Sequence, residues 1–268
     1  MIVTDKRFYL DNALKDMVDL CIQRKDKKWD NLLVIDGMER SGKTKLATTI
    51  GYYYSHATGK PFSVDNVFFD PEKLMEAATQ TRQQCLIWDE AAFGGLSTQW
   101  QSRIQQKMNA VLMTTGKYEH LYIVIVPSFF RLNRYLAIDR SIGLLHVYTP
   151  DLVTRGFFTC LNMQEKTWIY NNNRKSETYG KNISFRGKFT LKNTEGLIDE
   201  AAYENKKDEA IANFVRSENP DTWKLKLQEL QFRISMMLDT KQAATVANVN
   251  DSTVRRWRFA GKALGFEV

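Results

Sequence analysis

The most constraining feature of the chain is "GMERSGKT" at Gly37–Thr44, set directly behind the apolar run Leu32-Leu33-Val34-Ile35. A strand that runs into G-x-x-x-x-G-K-T and then into the helical stretch "TKLATTIGYYY" is the local plan of a phosphate-binding loop. The chemistry explains the residue types. Glycines let successive backbone N–H groups curl around phosphate oxygens, and the N-terminus of the next helix adds partial positive charge. Gly37, Ser41, Gly42, Lys43 and Thr44 therefore predict a nucleotide site, with ATP and Mg²⁺ as the expected cofactors. Lys43 is placed for the β- and γ-phosphates and Thr44 for the metal. The loop alone leaves open whether the phosphoryl group passes to a small molecule or to water.

Farther along, "CLIWDEAAFGG" has an apolar strand ending in Asp89-Glu90. Carboxylates at the C-terminal end of a parallel strand project into the crevice where such sheets bind ligands. Asp89 suits the Mg²⁺ position and Glu90 suits a general base that orients water. A third element begins at Ile123, where a strand ends in Pro127-Ser128. A resemblance to P-loop ATPases implies that Ser128 is a polar sensor of the γ-phosphate. Arg131, Arg134 and Arg140 follow as candidates for an arginine that stabilises transition-state charge, in ring-forming ATPases that of the neighbouring subunit, with Arg140 the first choice. Spacing puts Arg131 and Arg134 on one face of a short helix.

The loop resembles that of thymidylate kinases, and "IDRS" at 138–141 echoes their Asp-Arg motif. In that family the pair ends the strand where this chain has "WDE", and no arginine-rich lid is evident here. A glutamate directly after the strand-terminal aspartate favours activation of water, so a hydrolase is expected over a nucleotide kinase.

Short apolar runs at 31–36, 65–69, 84–88, 121–126 and 144–148 read as strands, with helical patterns at 8–23, 43–55, 71–82, 98–113 and 131–139. That alternation predicts an α/β fold, a P-loop NTPase with a mainly parallel sheet and crossover helices. Leu10, Leu14, Met17 and Leu20 form the stripe of the first helix. In the helix at 98–113, Trp100, Ile104, Met108 and Val111 are expected inside, with Gln101, Arg103 and Gln105 outside. After Pro150, "RGFFTCLNMQEKTWIYNNNRK" reads as two strands around a polar turn. A basic segment with Arg174, Lys175, Lys181, Arg186 and Lys188 follows. Helices are then expected at 195–217 and 222–239, the second burying Trp223, Leu227, Leu230, Ile234 and Met237 on one face. The expected division is a core over 1–150, a β-rich basic extension over 151–193, a helical connector over 194–239 and a terminal module over 240–268.

That module, "LDTKQAATVANVNDSTVRRWRFAGKALGF", predicts two short helices around Asn248-Val249-Asn250. Small residues in the first permit a close crossing, and Asp251 or Ser252 can cap the second. It resembles the helix-turn-helix of excisionase and MerR-type domains. The resemblance implies that Ser252, Thr253, Arg255 and Arg256 face the major groove or its phosphates, that Arg258 and Lys262 meet backbone phosphates, and that Lys241 also contacts DNA. A net charge of +7 agrees with an acidic partner such as nucleic acid.

Loop, strand-terminal Asp-Glu pair and intervening strand together resemble the additional-strand P-loop ATPases over about residues 30–150. Within them the chain is similar to the FtsK/HerA-type and zonular-occludens-toxin-like ATPases of viruses and mobile elements. Pro127-Ser128 departs from that clade, which usually has a glutamine or similar polar residue there. The resemblance implies a homo-oligomeric ring that pulls or packages double-stranded DNA, with other viral or mobile-element proteins as partners. The alternative is an ATP-switched DNA-binding regulator of replication, partition or transposition. Cys21, Cys85 and Cys160 are too scattered for a zinc site or a disulfide framework. Without an apolar leader or a membrane-length run, a soluble cytoplasmic protein is expected, in the host cytoplasm if viral.

Overall fold

The computed structural model describes residues 9–89, 98–151, 153–180, 183–190, 197–218 and 220–266. The chain divides into two compact units, Met1–Asp208 and Glu209–Val268.

The first unit is built on a seven-stranded sheet. Its strands are β1 (Asn31–Gly37), β2 (Val67–Phe68), β3 (Cys85–Asp89), β4 (Leu121–Ile125), β5 (Gly143–Tyr148), β6 (Phe157–Leu161) and β7 (Phe185–Lys188). They lie in the order β2-β3-β4-β1-β5-β6-β7. β1 to β5 are parallel, with Leu33 opposite both Ile123 and Gly143, whereas β6 and β7 add antiparallel strands at one edge. Because β4 lies between β1 and β3, the loop strand and the Asp89 strand are separated by one strand. Every residue of β1, β3 and β4 is buried, as expected for parallel strands covered on both faces.

Helices α1 (Asn12–Asp26), α2 (Lys43–Thr58), α3 (Pro71–Gln80), α4 (Thr98–Thr115) and α5 (Met163–Asn172) accompany the sheet. In α1 the buried stripe is Leu14, Val18 and Cys21, continuing from Leu10, while the expected Leu20 is exposed. Met108 and Val111 of α4 are buried as expected. Gln105, expected outside, is buried instead, where its side chain bonds Asn133 N and Arg131 O. The side chains of Trp100, Gln101, Arg103 and Ile104 lie outside the described residues.

Two local expectations fail for identifiable reasons. The segment expected as a second strand, "MQEKTWIYNN", is helix α5. Asn162 accepts from Gln164 N and Glu165 N, and Glu165 returns a bond to Asn162 N, a capping box that outweighs the β preference of Trp168-Ile169-Tyr170. Residues 129–140 form no single helix: a 3₁₀ turn at Phe129–Arg131 precedes a π-helical turn at Tyr135–Arg140. Arg131 and Arg134 therefore share no helical face. Buried Lys166 of α5 donates to the carbonyls of Ala137 and Ile138 at 2.7 and 3.0 Å, and burial pushes its pKa down to about 8.

Helix α6 (Glu200–Glu218) begins in the first unit and ends in the second, which also contains α7 (Pro220–Met237), α8 (Thr240–Ala247) and α9 (Asp251–Ala263). Asp239 caps α8 in a box with Gln242, and Asn248 ends it in the left-handed conformation. Ala243, Ala244 and Val254 form the centre of this unit, surrounded by Ile234, Leu238, Val249 and Trp257. On α7 the buried residues are Phe232 and Ser235. Leu227, Leu230 and Met237 of the expected apolar face are exposed, and the side chain of Trp223 lies outside the described residues.

Candidate nucleotide-binding site

The phosphate loop leaves β1 at Gly37. There β5 runs so close that a Cβ on Gly37 would stand 2.1 Å from the carbonyl oxygen of Val147, at a φ of +134°. Only glycine satisfies both demands. The loop turns back into α2, which Gly42 caps without a side-chain oxygen, leaving first-turn amides for an external anion.

Four groups converge at this edge of the sheet. Lys43 is buried in the loop and donates from Nζ to the carbonyls of Gly37 and Met38 at 2.7 and 2.8 Å. Burial lowers its pKa, opposed by the charges of Asp89, Asp36 and Glu39. Thr44 Oγ1 donates to Asp89 Oδ2 at 2.9 Å, joining the helix start to the end of β3. Tyr203, on the first turn of α6, donates its hydroxyl to the same Asp89 oxygen at 2.9 Å. Burial and then the Asp89 charge raise the Tyr203 pKa, so it remains a proton donor. Lys45 forms an ion pair with Glu200 beside them. These residues line a cleft of about 670 Å³ together with Glu39, Arg40 and Arg155.

The residues suit a nucleotide triphosphate and a divalent ion. Ser41 Oγ is buried in the loop with no hydrogen-bond partner, and Lys43 is held on carbonyls that a phosphate can replace. Thr44 and Asp89 supply the hydroxyl and carboxylate oxygens that a Mg²⁺ site uses. Among the described residues no group of three or more His, Cys, Asp or Glu is arranged to hold a metal.

The remaining candidates are placed elsewhere. Glu90 lies outside the described residues. Ser128 is nearly buried, and its Oγ donates to Glu177 Oε2 at 2.9 Å rather than lining the cleft. Arg131 stands 3.9 Å from Glu177, and Arg134 is exposed. Arg140, the first-choice arginine, is engaged within its own chain. Its guanidinium grips Asp30 through both terminal nitrogens and donates to Leu112 O at 3.2 Å. Asp30 precedes β1, so the pair sits at the opposite end of that strand from the phosphate loop, about 20 Å away at ~3.3 Å per residue. Burial pulls the Arg140 pKa down, but Asp30 outweighs this and the net shift is upward.

Sequence reasoning missed Tyr203, Arg155 and Asp36. Asp36 is fully buried behind the loop, accepting from Phe129 N at 2.9 Å, His146 Nδ1 at 3.0 Å and the Tyr179 hydroxyl. Tyr179 stacks on His146 with ring centroids 3.5 Å apart, and the Phe129–Asp36 bond ties the segment after β4 to β1. A lone acid before a loop glycine gives no hint of such a hub.

In the second unit Ser252, Arg255, Arg256, Lys262 and Lys241 are exposed and Thr253 is half-buried. Arg258, expected on phosphates, is turned inward. It donates to Ser235 O at 2.7 Å, Leu238 O at 2.9 Å and Thr240 Oγ1 at 3.0 Å, tying α9 to the end of α7. Of the basic extension, Arg174 lies over the Tyr170 ring and Lys188 over Phe157, and Lys181 lies outside the described residues.

No helix among the described residues is long and apolar enough to cross a membrane. No protein-family model and no curated protein sequence matches the chain. Solved structures similar to it include the DNA-packaging ATPase of Sulfolobus turreted icosahedral virus, at 14% identity and TM-score 0.37, covering 52% of this chain and 95% of that one. The genome packaging NTPase of Sulfolobus turreted icosahedral virus 2 in complex with ATP-gammaS is similar at 12% identity and TM-score 0.37, covering 51% and 94%. The N-terminal domain of zonular occludens toxin from Neisseria meningitidis is similar at 13% identity and TM-score 0.38, covering 62% and 98%. On its own strand order and phosphate loop, the chain has the α/β fold of a P-loop NTPase, with one strand between the loop strand and the Asp89 strand.

Proposed function

We propose that the protein is a Mg²⁺-dependent ATP hydrolase directed to double-stranded DNA, a ring-forming translocase or genome-packaging-type motor. The observation that supports hydrolysis best is the Thr44–Asp89 hydrogen bond beside Lys43 in one cleft. In this reading Lys43 leaves the loop carbonyls for the β- and γ-phosphates. Thr44 and Asp89 would hold Mg²⁺, which would supply screening of the phosphate charge. Glu90, the residue after Asp89 in the sequence, orients water for attack on the γ-phosphorus. DNA engagement is assigned to a helix-turn-helix made by α8 and α9. It is supported by the exposure of Ser252, Arg255, Arg256, Lys241 and Lys262 and by the net charge of +7.

Glu90→Gln tests the chemistry. It should bind ATP with wild-type affinity while turnover falls on the order of 10²–10⁴-fold. Unchanged turnover removes Glu90 from its role. Stimulation of turnover by double-stranded DNA tests the partner, and an assembled oligomer indifferent to DNA argues against a motor.

One observation favours the second reading, an ATP-switched DNA-binding regulator. Tyr203 rests on Asp89 and belongs to α6, the helix whose later residues lie in the second unit, so a change at Asp89 would be felt at the start of that helix. Displacement of a triplex-forming strand separates the two, because only a motor moves along the duplex.

A further inference from the structure

We infer that Arg155 is the arginine that stabilises the transferred phosphoryl group, and that it acts within its own subunit. The inference rests on the ATP-hydrolase reading above and concerns the chain's own cleft, away from which Arg140 is held by Asp30 and Arg131 faces Glu177.

Topology delivers Arg155 to the site. Gly37 pairs with Val147 on β5, and Tyr148 pairs with Phe157 on β6, so the loop joining β5 to β6 emerges at the same sheet edge as the phosphate loop. Arg155 ends that loop and lines the cleft with Lys43, Thr44 and Asp89. β6 is two strand positions from β1, about 10 Å, a span that an arginine and a triphosphate bridge together. Its base is rigid. Gly156 has a φ of +97°, a Cβ there would stand 2.6 Å from Phe189 O, and Gly156 O accepts from Phe189 N at 2.8 Å.

Charge completes the case. Arg140 is engaged by Asp30, Arg131 faces Glu177, and Lys45 is paired with Glu200. Arg155 is exposed and takes part in none of the ion pairs or hydrogen bonds of the described residues. Arg40 also lines the cleft, but it stands on the phosphate loop itself, on the same side as Lys43. In hydrolysis a bond forms from the water oxygen to the γ-phosphorus, and the bond to the β–γ bridging oxygen breaks. The electron pair leaves on ADP while the water proton passes to Glu90. Arg155, reaching the cleft from the β5–β6 loop, meets the negative charge that grows on the γ-phosphoryl and bridging oxygens. The antiparallel strands β6 and β7 thereby act as a bracket for a catalytic side chain.

The test uses the full chain, with ATP turnover and equilibrium ATP binding measured with and without double-stranded DNA. Arg155→Ala should lower kcat on the order of 10²–10³-fold and change ATP affinity by less than about threefold. Arg155→Lys should recover part of the loss, because it keeps charge but not the planar fork. A rise in Kd with unchanged kcat makes Arg155 a ground-state anchor and overturns the proposal. An effect at Arg40→Ala with none at Arg155→Ala overturns it as well. Mixing Arg155→Ala with Lys43→Ala subunits tests the cis assignment: a trans arginine restores sites at mixed boundaries, so recovered turnover overturns that part. If the wild-type chain binds ATP without hydrolysing it, the hydrolase reading falls and takes the proposal with it. Wild-type turnover that survives in Arg155→Ala removes Arg155 alone.

Discussion

The two ends of the parallel strands carry similar residues to opposite effect. At the N-terminal end, Arg140 and Asp30 close on each other, and Asn31 joins Arg24 Nε at 2.7 Å to the Cys21 carbonyl at 3.0 Å. At the C-terminal end, Lys43 rests on carbonyls of its own loop, Ser41 Oγ has no partner, and Arg155 stands in the open cleft. One end is a finished network and the other is held provisionally. A cation's type and sheet position therefore say less about function than whether its donors are already engaged by the fold.

Lys43→Ala should break this contrast most visibly. Removing it should lower kcat/KM for ATP on the order of 10³-fold or more. Thermal stability should change little, because in the free protein the side chain is buried at an electrostatic cost. A large drop in melting temperature with residual turnover would make Lys43 a structural residue.

Arg140→Ala should give the mirror image. Deleting one partner strands a nearly buried carboxylate and should cost about 3 kcal/mol of stability by denaturant unfolding. Turnover per folded molecule should stay at the wild-type value. Loss of turnover at unchanged stability would return Arg140 to the finger candidates.

The same distinction divides α9. Arg258→Ala removes charged donors from Ser235 O, Leu238 O and Thr240 Oγ1 and should destabilise the second unit by about 2 kcal/mol. Arg255→Ala and Arg256→Ala should leave melting unchanged and weaken double-stranded DNA binding, each reducing the salt slope by about 1. Equal DNA loss from all three, without a stability difference, would erase the distinction.

These divisions explain what the sequence revealed. The phosphate loop was legible because its chemistry is contiguous, and the buried strands because four or five apolar residues in a row have few other uses. Asp89 was legible from its place at a strand end. Helix α5 was misread although the signal was present: Asn162 and Glu165 are a capping pair, hidden by the strand-like Trp168-Ile169-Tyr170. The intrachain partners of Arg140 and Arg258 are invisible in the sequence because they are not neighbours along the chain, Asp30 being 110 residues from Arg140. Arg155 and Tyr203 could not be read at all. The first reaches the cleft only through the register of β5 and β6, the second only through the return of α6 to β3.

Tyr203→Phe probes the smallest and most informative difference. The hydroxyl donates to the Asp89 oxygen that also accepts from Thr44, so it draws on the lone pairs a magnesium ion needs. The ring stays packed near Phe69, with centroids 5.5 Å apart, so the substitution removes one hydrogen bond and little else. A bond of this kind contributes about 1 kcal/mol, which corresponds to roughly a fivefold change in an equilibrium constant. The free protein should lose about that much stability. Mg²⁺-ATP should bind up to about fivefold tighter, while ATP without metal should bind as before. Isothermal titration with and without Mg²⁺ reads both arms. Weaker Mg²⁺-ATP binding in the variant would mean that Tyr203 orients Asp89 for the metal instead of competing with it. The cleft end would then hold one finished contact, and its contrast with the Asp30–Arg140 end would shrink to Lys43, Ser41 and Arg155.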